Sequence, residues 1–176
     1  MNLQPRSGKA WKPQGRPVRL RATYHRDLGA RHMIANLDLS TGKIHYRIRD
    51  RKRSGEFLDF LKSLRRRWPG QALHLILDNF SPHKHPSVRA WCAANQAELV
   101  LLPTYSSWLN WIEAEFTALR YFALNGTDHR THTQQDTAIG DYIRWHNQRR
   151  QPENRIRDQL QDPAPGLPVQ GCMTRH

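Results

Sequence analysis

The sequence predicts an α/β fold in which a mixed β-sheet is flanked by helices. Segments with strand-like patterning are followed in turn by segments with helical spacing of their apolar residues. The run Ala97–Leu102 is almost continuously apolar, which is typical of a strand covered on both faces. Strand, helix and strand in succession favour parallel pairing through a right-handed crossover. At 176 residues the chain is long enough for one domain with its own core.

The individual elements follow from local patterning and from their start and stop signals. We expect Met1–Pro17, which is rich in proline and basic residues, to be an extended surface segment. The predicted strands are Val18–Tyr24, His32–Leu39, Ile44–Ile48, Ala72–Leu77 and Ala97–Leu102. The predicted helices are Ser54–Trp68, Pro86–Asn95, Leu109–Leu124 and Thr133–Gln148. Residues 1–150 are therefore expected to form the domain, and residues 151–176, with four prolines, a tail without regular structure.

Helical spacing also predicts which side chains of the last two helices are buried. For the first of these helices they are Ile112, Phe116, Leu119 and Phe122. For the second they are Ile139, Tyr142, Ile143 and Trp145. Each set should pack against the sheet or against the other helix.

Positive charge dominates the composition and predicts a polyanionic partner. The chain has 28 Lys and Arg against 15 Asp and Glu, a net charge of +13. Three basic clusters are candidate phosphate contacts: Arg51, Lys52 and Arg53; Arg65, Arg66 and Arg67; and Arg149 and Arg150. Charge alone leaves open a basic protein without any chemistry, in which these clusters are only solvated surface. The N-terminus carries no apolar signal segment and no long apolar run occurs, so we expect a cytoplasmic protein that does not enter a membrane.

Two carboxylates are candidates for chemistry. Asp78 ends the predicted strand Ala72–Leu77, and the carboxyl ends of strands in open α/β sheets border the crevice where ligands bind. An Asp after a strand is also common in turns and helix caps. Glu113 and Glu115 lie two residues apart and cannot share a helix face. Because Glu113 borders the predicted buried stripe near the start of its helix, the pattern favours Glu113 as the inward carboxylate.

Two sequence blocks resemble those of a known family. Leu75–Lys84 reads LILDNFSPHK and Leu102–Glu113 reads LPTYSSWLNWIE. They resemble the Asp-Asn-x-x-x-His and Leu-Pro-x-Tyr-Ser-x-x-Leu-Asn-x-Ile-Glu blocks of bacterial insertion-sequence transposases of the Tc/mariner superfamily. The resemblance extends from about Leu3 to Arg150.

This resemblance implies an RNase H-like fold and a site of three carboxylates that binds two divalent metal ions, Mg²⁺ or Mn²⁺. Asp78 matches the second acid and Glu113 the third, and both would be catalytic metal ligands. Asn79, His83 and Lys84 match or adjoin the first block and would contact DNA or support the site. The implied reaction is DNA cleavage and strand transfer in transposition. The implied partners are transposon ends, target DNA and either a second copy or a full-length transposase.

The chain departs from the family pattern at its N-terminus. In the family the first Asp lies on the first strand, a few residues before a segment resembling Asn2–Pro5, and a helix-turn-helix domain precedes it. We therefore expect an N-terminally truncated domain without the first strand and first acid, and little or no cleavage by this chain alone. Asp38 is a candidate substitute for the missing acid, although its place before Ser40–Gly42 is typical of a turn.

Several alternatives stay open at this stage. The chain is either an enzyme or a DNA-binding remnant without catalysis, and among enzymes an RNase H-like nuclease or resolvase shares the fold and the metals. Trp108 and Trp111 either stack on a nucleic-acid base or pack within the protein.

Overall fold

The computed structural model describes residues 1, 3, 6, 29–103 and 110–149, and the backbone of residues 171–174. In chain order the elements are β1 (His32–Asp38), β2 (Lys43–Arg49), α1 (Ser54–Arg67), β3 (Leu73–Leu77), a 3₁₀ turn (Ser81–Lys84), α2 (Pro86–Ala94), β4 (Ala97–Leu101), α3 (Ile112–Leu119), a π-helical turn (Arg120–Leu124), α4 (His132–Arg149) and β5 (Gly171–Thr174). The predicted strand Val18–Tyr24, most of Met1–Pro17, Trp108 and Arg150 lie outside the described residues. No helix among the described residues is long and apolar enough to span a membrane.

Strands β1 and β2 form the predicted hairpin. They pair antiparallel, with His32 opposite Arg49 and Asp38 opposite Lys43. The buried Asp38 carboxylate accepts hydrogen bonds from the Ser40 backbone N–H at 2.9 Å, the Ser40 hydroxyl at 2.7 Å and the Thr41 hydroxyl at 2.7 Å. Both carboxylate oxygens of Asp38 are therefore engaged in the turn. The turn interpretation of Asp38 is confirmed, and it does not replace a catalytic acid.

Strands β3 and β4 pair in parallel, as predicted, with Leu73 opposite Ala97 and Leu77 opposite Leu101. The prediction that β4 is covered on both faces is wrong. Its burial alternates, and Val100 is 40% exposed. Strand β4 lies at the edge of its sheet, and one of its faces is open to solvent. A run of apolar residues is therefore compatible with an edge strand that is covered on one face only.

A short strand from the C-terminal tail, which the sequence pattern does not predict, completes the hairpin sheet. Strand β5 pairs antiparallel with β1, giving the order β2-β1-β5, and it also lies beside β3. Met33 and Ile34 of β1 line a small pocket together with Phe80 and His83, which come after β3. The start of β1 and the end of β3 therefore share one edge, so β5 runs parallel to β3 and ends at that edge.

The core lies on both sides of the hairpin sheet. On one side, alternate β1 residues pack against α3 and α4; the buried residues are Met33, Ala35, Leu37, Ile44, Ile112, Phe116, Leu119, Ala123, Leu124, Ile139 and Ile143. On the other side, Ile34 packs with α1, β3 and α2; the buried residues are Phe57, Phe60, Leu61, Leu64, Leu73, Leu75, Leu77, Val88 and Cys92. This arrangement confirms a mixed sheet flanked by helices.

The segment after α3 departs from the predicted helical face. Phe122, predicted to be buried, is 66% exposed, and Ala123 and Leu124 are buried instead. The Asn125 N–H donates to the Arg120 carbonyl at 2.8 Å, five residues back. Such a π-helical turn inserts an extra residue and rotates the next side chains around the helix axis. The buried stripe itself continues from the last residue of α3 to Ala123 at ordinary helical spacing, which leaves Phe122 beside the stripe and on the surface.

The buried face of α4 also differs from the prediction. Ile139 and Ile143 are buried as expected, but Trp145 is 44% exposed, with the Arg149 guanidinium 4.8 Å from its ring centroid. The remaining buried positions of α4 are Gln135, Gly140 and His146. Polar side chains at core positions cannot be recognised from apolar spacing alone.

Candidate active site at the carboxyl end of β3

Asp78 directly follows β3, at the edge of the sheet where a ligand-binding crevice is expected. Its Oδ1 lies 3.1 Å from Nδ1 of His83 and accepts the Phe80 backbone N–H at 3.3 Å. The Asp78 side chain is 30% exposed, whereas the His83 side chain is 2% exposed. A buried imidazole therefore orients a carboxylate that still reaches solvent.

Aromatic rings fix the position of His83. Its ring centroid lies 4.3 Å from that of Phe57 and 5.4 Å from that of Phe80. The Lys52 ammonium lies 5.0 Å from the centroid of the Phe80 ring. The predicted motif residues Asp78 and His83 are thus brought together, with Lys52 beside them. His83 is too buried to be a direct DNA contact and serves the site by holding Asp78.

Asn79 links the two sequence blocks, Leu75–Lys84 and Leu102–Glu113, by a hydrogen bond. Its side-chain amide donates to the Leu102 carbonyl, and the Leu102 N–H donates to the Leu77 carbonyl at 2.8 Å. These bonds extend the β3–β4 pairing past the ends of both strands. Asn79 therefore holds the start of the second block against the end of the first.

Glu113 lies in the first turn of α3 and is partly exposed. Glu115, not Glu113, is the buried carboxylate of this helix, so the inward orientation predicted for Glu113 is wrong. Glu115 Oε2 lies 2.9 Å from Nε2 of His146, and both side chains are at most 9% exposed. Helix α4 covers the Glu115 face of α3 and supplies this partner, which leaves Glu113 accessible. No sequence signal points to His146, because a partner on a distant helix leaves no local pattern.

Asp78 and Glu113 offer carboxylate oxygens, the ligands that hard divalent cations prefer. The chemistry of this pair suits Mg²⁺ or Mn²⁺. Among the described residues, however, no three His, Cys, Asp or Glu side chains are grouped closely enough to hold a metal ion. The side-chain oxygen of the buried Asn110, which precedes α3, has no hydrogen-bond partner among the residues that the structure describes.

The predicted basic clusters lie in different places. Lys52 and Arg53 line the small pocket beside His83, near Asp78. Arg65 donates to the carbonyls of Trp68 and Gln96 at 3.0 and 3.2 Å and to those of Gln71 and Asn95. Gln96 precedes β4, so Arg65 lies at the edge of the sheet opposite Asp78. Its guanidinium caps the C-terminal ends of α1 and α2. Arg65 therefore has a structural role rather than the predicted DNA contact.

The other basic side chains are more accessible. Arg66 and Arg67, at the end of α1, and Arg51 are exposed, whereas Lys84 is partly exposed. Arg53 pairs with Glu56 at 2.9 Å, and this hydrogen-bonded pair lowers the pKa of Glu56 to about 2. Arg149 covers the exposed ring of Trp145. Trp111 is 40% exposed, so its ring is not packed in the core.

Comparisons with known proteins show the family and the fold of the chain. Residues 1–136 match the family model described as DDE superfamily endonuclease. The fold is similar to that in the crystal structure of the Mos1 strand transfer complex, with a TM-score of 0.62, 16% identity, and coverage of 82% of this chain and 44% of that chain.

A second solved structure, the Mos1 transposase paired-end complex with left transposon end, matches with a TM-score of 0.59 and 17% identity, covering 86% of this chain and 49% of that chain. The chain thus spans less than half the length of either Mos1 chain. No curated protein sequence matches it. At these identities the likeness shows the fold, an RNase H-like mixed sheet flanked by helices.

Proposed function

Because the chain belongs to the DDE superfamily endonuclease family, we propose that it is the catalytic domain of a DNA transposase of the Tc/mariner superfamily. Asp78 and Glu113 are its second and third catalytic acids and bind Mg²⁺ or Mn²⁺. The observation that carries the proposal is the Asp78 carboxylate at the carboxyl end of β3, held at 3.1 Å by the buried His83. Asp78 also accepts the turn-type bond from the Phe80 N–H, but, unlike that of the buried Asp38, its side chain is partly exposed and accessible to a metal ion.

DDE transposase domains generally use divalent metal ions. When bound, such ions stabilise the attacking and leaving oxygens of a phosphodiester displacement. In this chain Asp78 is oriented by His83 and Asn79 joins the two blocks, while Glu113 stays accessible at the start of α3. Asp78 and Glu113 supply the metal ligands, and His83 and Asn79 position the segments that carry them.

The proposed partners are transposon ends and target DNA, with a second copy of the chain or a full-length transposase in the assembly. The net charge of +13 supports DNA binding, as does the fold shared with Mos1 structures described as a strand transfer complex and a paired-end complex with a transposon end. Lys52 and Lys84 flank the Asp78–His83 loop and are the nearest candidates for phosphate contacts.

A second candidate function is DNA binding without catalysis. It is favoured by one observation: the described residues contain no group of three side chains able to hold a metal. We therefore expect the 176-residue chain alone to cleave little or no DNA, even with Mg²⁺ or Mn²⁺ present. Cleavage without strand transfer would instead indicate a nuclease or resolvase.

Replacing Lys52 and Lys84 with glutamine should weaken binding to short duplex DNA and reduce its dependence on salt. Each lost phosphate contact lowers the slope of log affinity against log salt by about 0.9. Fluorescence anisotropy over a range of salt concentrations measures this slope. Arg53 is left in place because it is paired with Glu56.

The matched control is the Lys43→Gln/Lys62→Gln variant, which removes the same charge at two exposed lysines. Lys43 stands opposite Asp38 at the far end of the hairpin, and Lys62 lies in the last two turns of α1. Its slope should equal that of the parent chain. Equal slopes for the two double variants would show that binding depends on total charge alone and would count against an interface at the Asp78 edge.

A further inference from the structure

A basic cleft lies on the outer edge of the hairpin sheet. It has a volume of about 340 Å³ and is formed by β2, the end of α1 and the middle of α4. Its lining includes His45, Tyr46, Arg47, Arg67 and Arg144. Since β1 and β5 separate β2 from the β3 side of the sheet, the cleft is distinct from the Asp78 site.

The charge of the cleft is strongly positive. Arg47, Arg67 and Arg144 come from three different elements, and no Asp or Glu of the described part of the chain lines the cleft. Asp141 pairs with Arg144 along α4, but the Arg144 side chain is still 66% exposed. Three arginines line the cleft, and the carboxylates near them are Asp141, paired with Arg144, and the turn residue Asp38, which acts on the histidine of the lining. The lining therefore has an excess of positive charge.

The edge of β2 adds a backbone donor. The Asn147 side chain accepts the Ile44 N–H and donates to the Ile44 carbonyl, both at 2.8 Å. These bonds show that the backbone groups of Ile44 point away from β1. Because backbone direction alternates along a strand, the Tyr46 N–H points to the same outer edge. The outer edge therefore presents the N–H of Tyr46, together with its carbonyl, beside the arginines of the cleft.

Gly140 allows α4 to approach β2 at this point. A Cβ at position 140 would lie 3.0 Å from the Tyr46 hydroxyl oxygen and 3.3 Å from Nη1 of Arg144. Even an alanine would press on two groups that line the cleft. The side chains of the cleft are thus closely fitted around a glycine.

We propose that this cleft binds a phosphate group. Arginine forks match phosphate oxygens with paired charge-assisted hydrogen bonds, and the Tyr46 N–H adds a neutral donor. The site provides a second contact for a DNA backbone, away from the Asp78 edge. This use of the cleft builds on the proposed function, whereas phosphate binding itself does not depend on it.

His45 provides a reporter within the cleft. Burial, together with the nearby Arg67, lowers the pKa of His45 to about 4, with Lys43 lowering it and Asp38 raising it to a smaller extent. The His45 ring also meets Trp68 edge to face at 5.2 Å. A phosphate bound among the arginines offsets their charge and therefore raises the pKa of His45.

The test is an NMR titration of the His45 ring in metal-free buffer, without ligand, with inorganic pyrophosphate and with a short DNA duplex. Pyrophosphate should raise the pKa of His45 in the parent chain. The Arg47→Gln/Arg144→Gln variant should bind pyrophosphate about tenfold more weakly, the loss expected for one charge-assisted hydrogen bond or more. If DNA displaces pyrophosphate, the ligand is a backbone phosphate; if it does not, the cleft binds a free phosphate compound.

Two controls make the result specific. Arg89→Gln/Arg130→Gln removes the same charge elsewhere and should bind pyrophosphate like the parent. An Asp78→Asn/Glu113→Gln variant should retain the pyrophosphate response, so failure of the metal site and failure of the cleft are distinguishable. An unchanged pKa of His45, or equal affinities in the two arginine variants, would overturn the proposal.

Discussion

Replacing Cys172 and Met173 with proline is expected to release β5 and to remove the protection against hydrogen exchange of the β1 amides that face it. These residues lie opposite Asn36 and Ala35 in the β1–β5 ladder. Proline has no N–H and cannot donate to a ladder. Backbone direction alternates along a strand, and the bonds of Ile44 to α4 show that Ala35 faces β5 whereas Asn36 faces β2. Of the two replaced residues, only Met173 can therefore donate its N–H to β1, and the loss of this bond lowers the free energy of unfolding by about 1 kcal/mol. Exposure of the β1 and β3 edges adds a tendency to associate.

Hydrogen exchange at the amides of Ala35 and Leu37, which face β5, measures this effect, and the amide of Asn36, which faces β2, is the internal comparison. The control carries alanine at Cys172 and Met173, which keeps the backbone N–H groups of both residues of β5. It should keep the parent's protection in β1 and the parent's stability. Equal protection in the two variants would mean that β5 does not stabilise the hairpin sheet.

The second large effect is expected from Glu115→Ala. Glu115 and His146 form a pair at 2.9 Å between α3 and α4, and both are buried. Removal of the carboxylate leaves a buried imidazole without this partner, which costs about 1–3 kcal/mol. Chemical denaturation should therefore show a lower midpoint with an unchanged slope.

Glu113→Ala is the matched comparison, because it removes the same side chain two residues away on the same helix. Glu113 is partly exposed, and surface substitutions change stability by only about 0.5 kcal/mol or less. Glu115→Gln, which keeps one oxygen near His146, should lie between the parent and Glu115→Ala. If Glu113→Ala proved as destabilising as Glu115→Ala, the assignment of Glu115 as the structural acid and Glu113 as the functional acid would be wrong.

Strong local patterns predict the elements around the site. The hairpin, α1 and the parallel β3–β4 pair follow from alternation, helical spacing and turn residues, and the structure confirms them. The position of Asp78 follows because an apolar strand leads directly into it. Its partner His83 is identified only through the resemblance to a family motif.

Features that depend on distant residues escape prediction from the sequence. After Leu119, helical spacing allows either Phe122 or Ala123 to continue the buried stripe, and only the packing of the helix selects Ala123. The burial of Glu115 depends on His146 from another helix. Strand β5 has only four residues and no apolar periodicity, so only its pairing with β1 identifies it.

The central claim is that Asp78 and Glu113 together bind a divalent metal ion. Calorimetric titration with Mn²⁺ and Mg²⁺ tests it on the parent chain, on Asp78→Asn/Glu113→Gln and on Asp59→Asn/Glu98→Gln, which removes two exposed acids elsewhere. We expect metal binding by the parent and by the Asp59 and Glu98 variant, and its loss in the Asp78 and Glu113 variant. Absence of binding by the parent, or equal binding by both double variants, would contradict the assignment of these two acids as metal ligands.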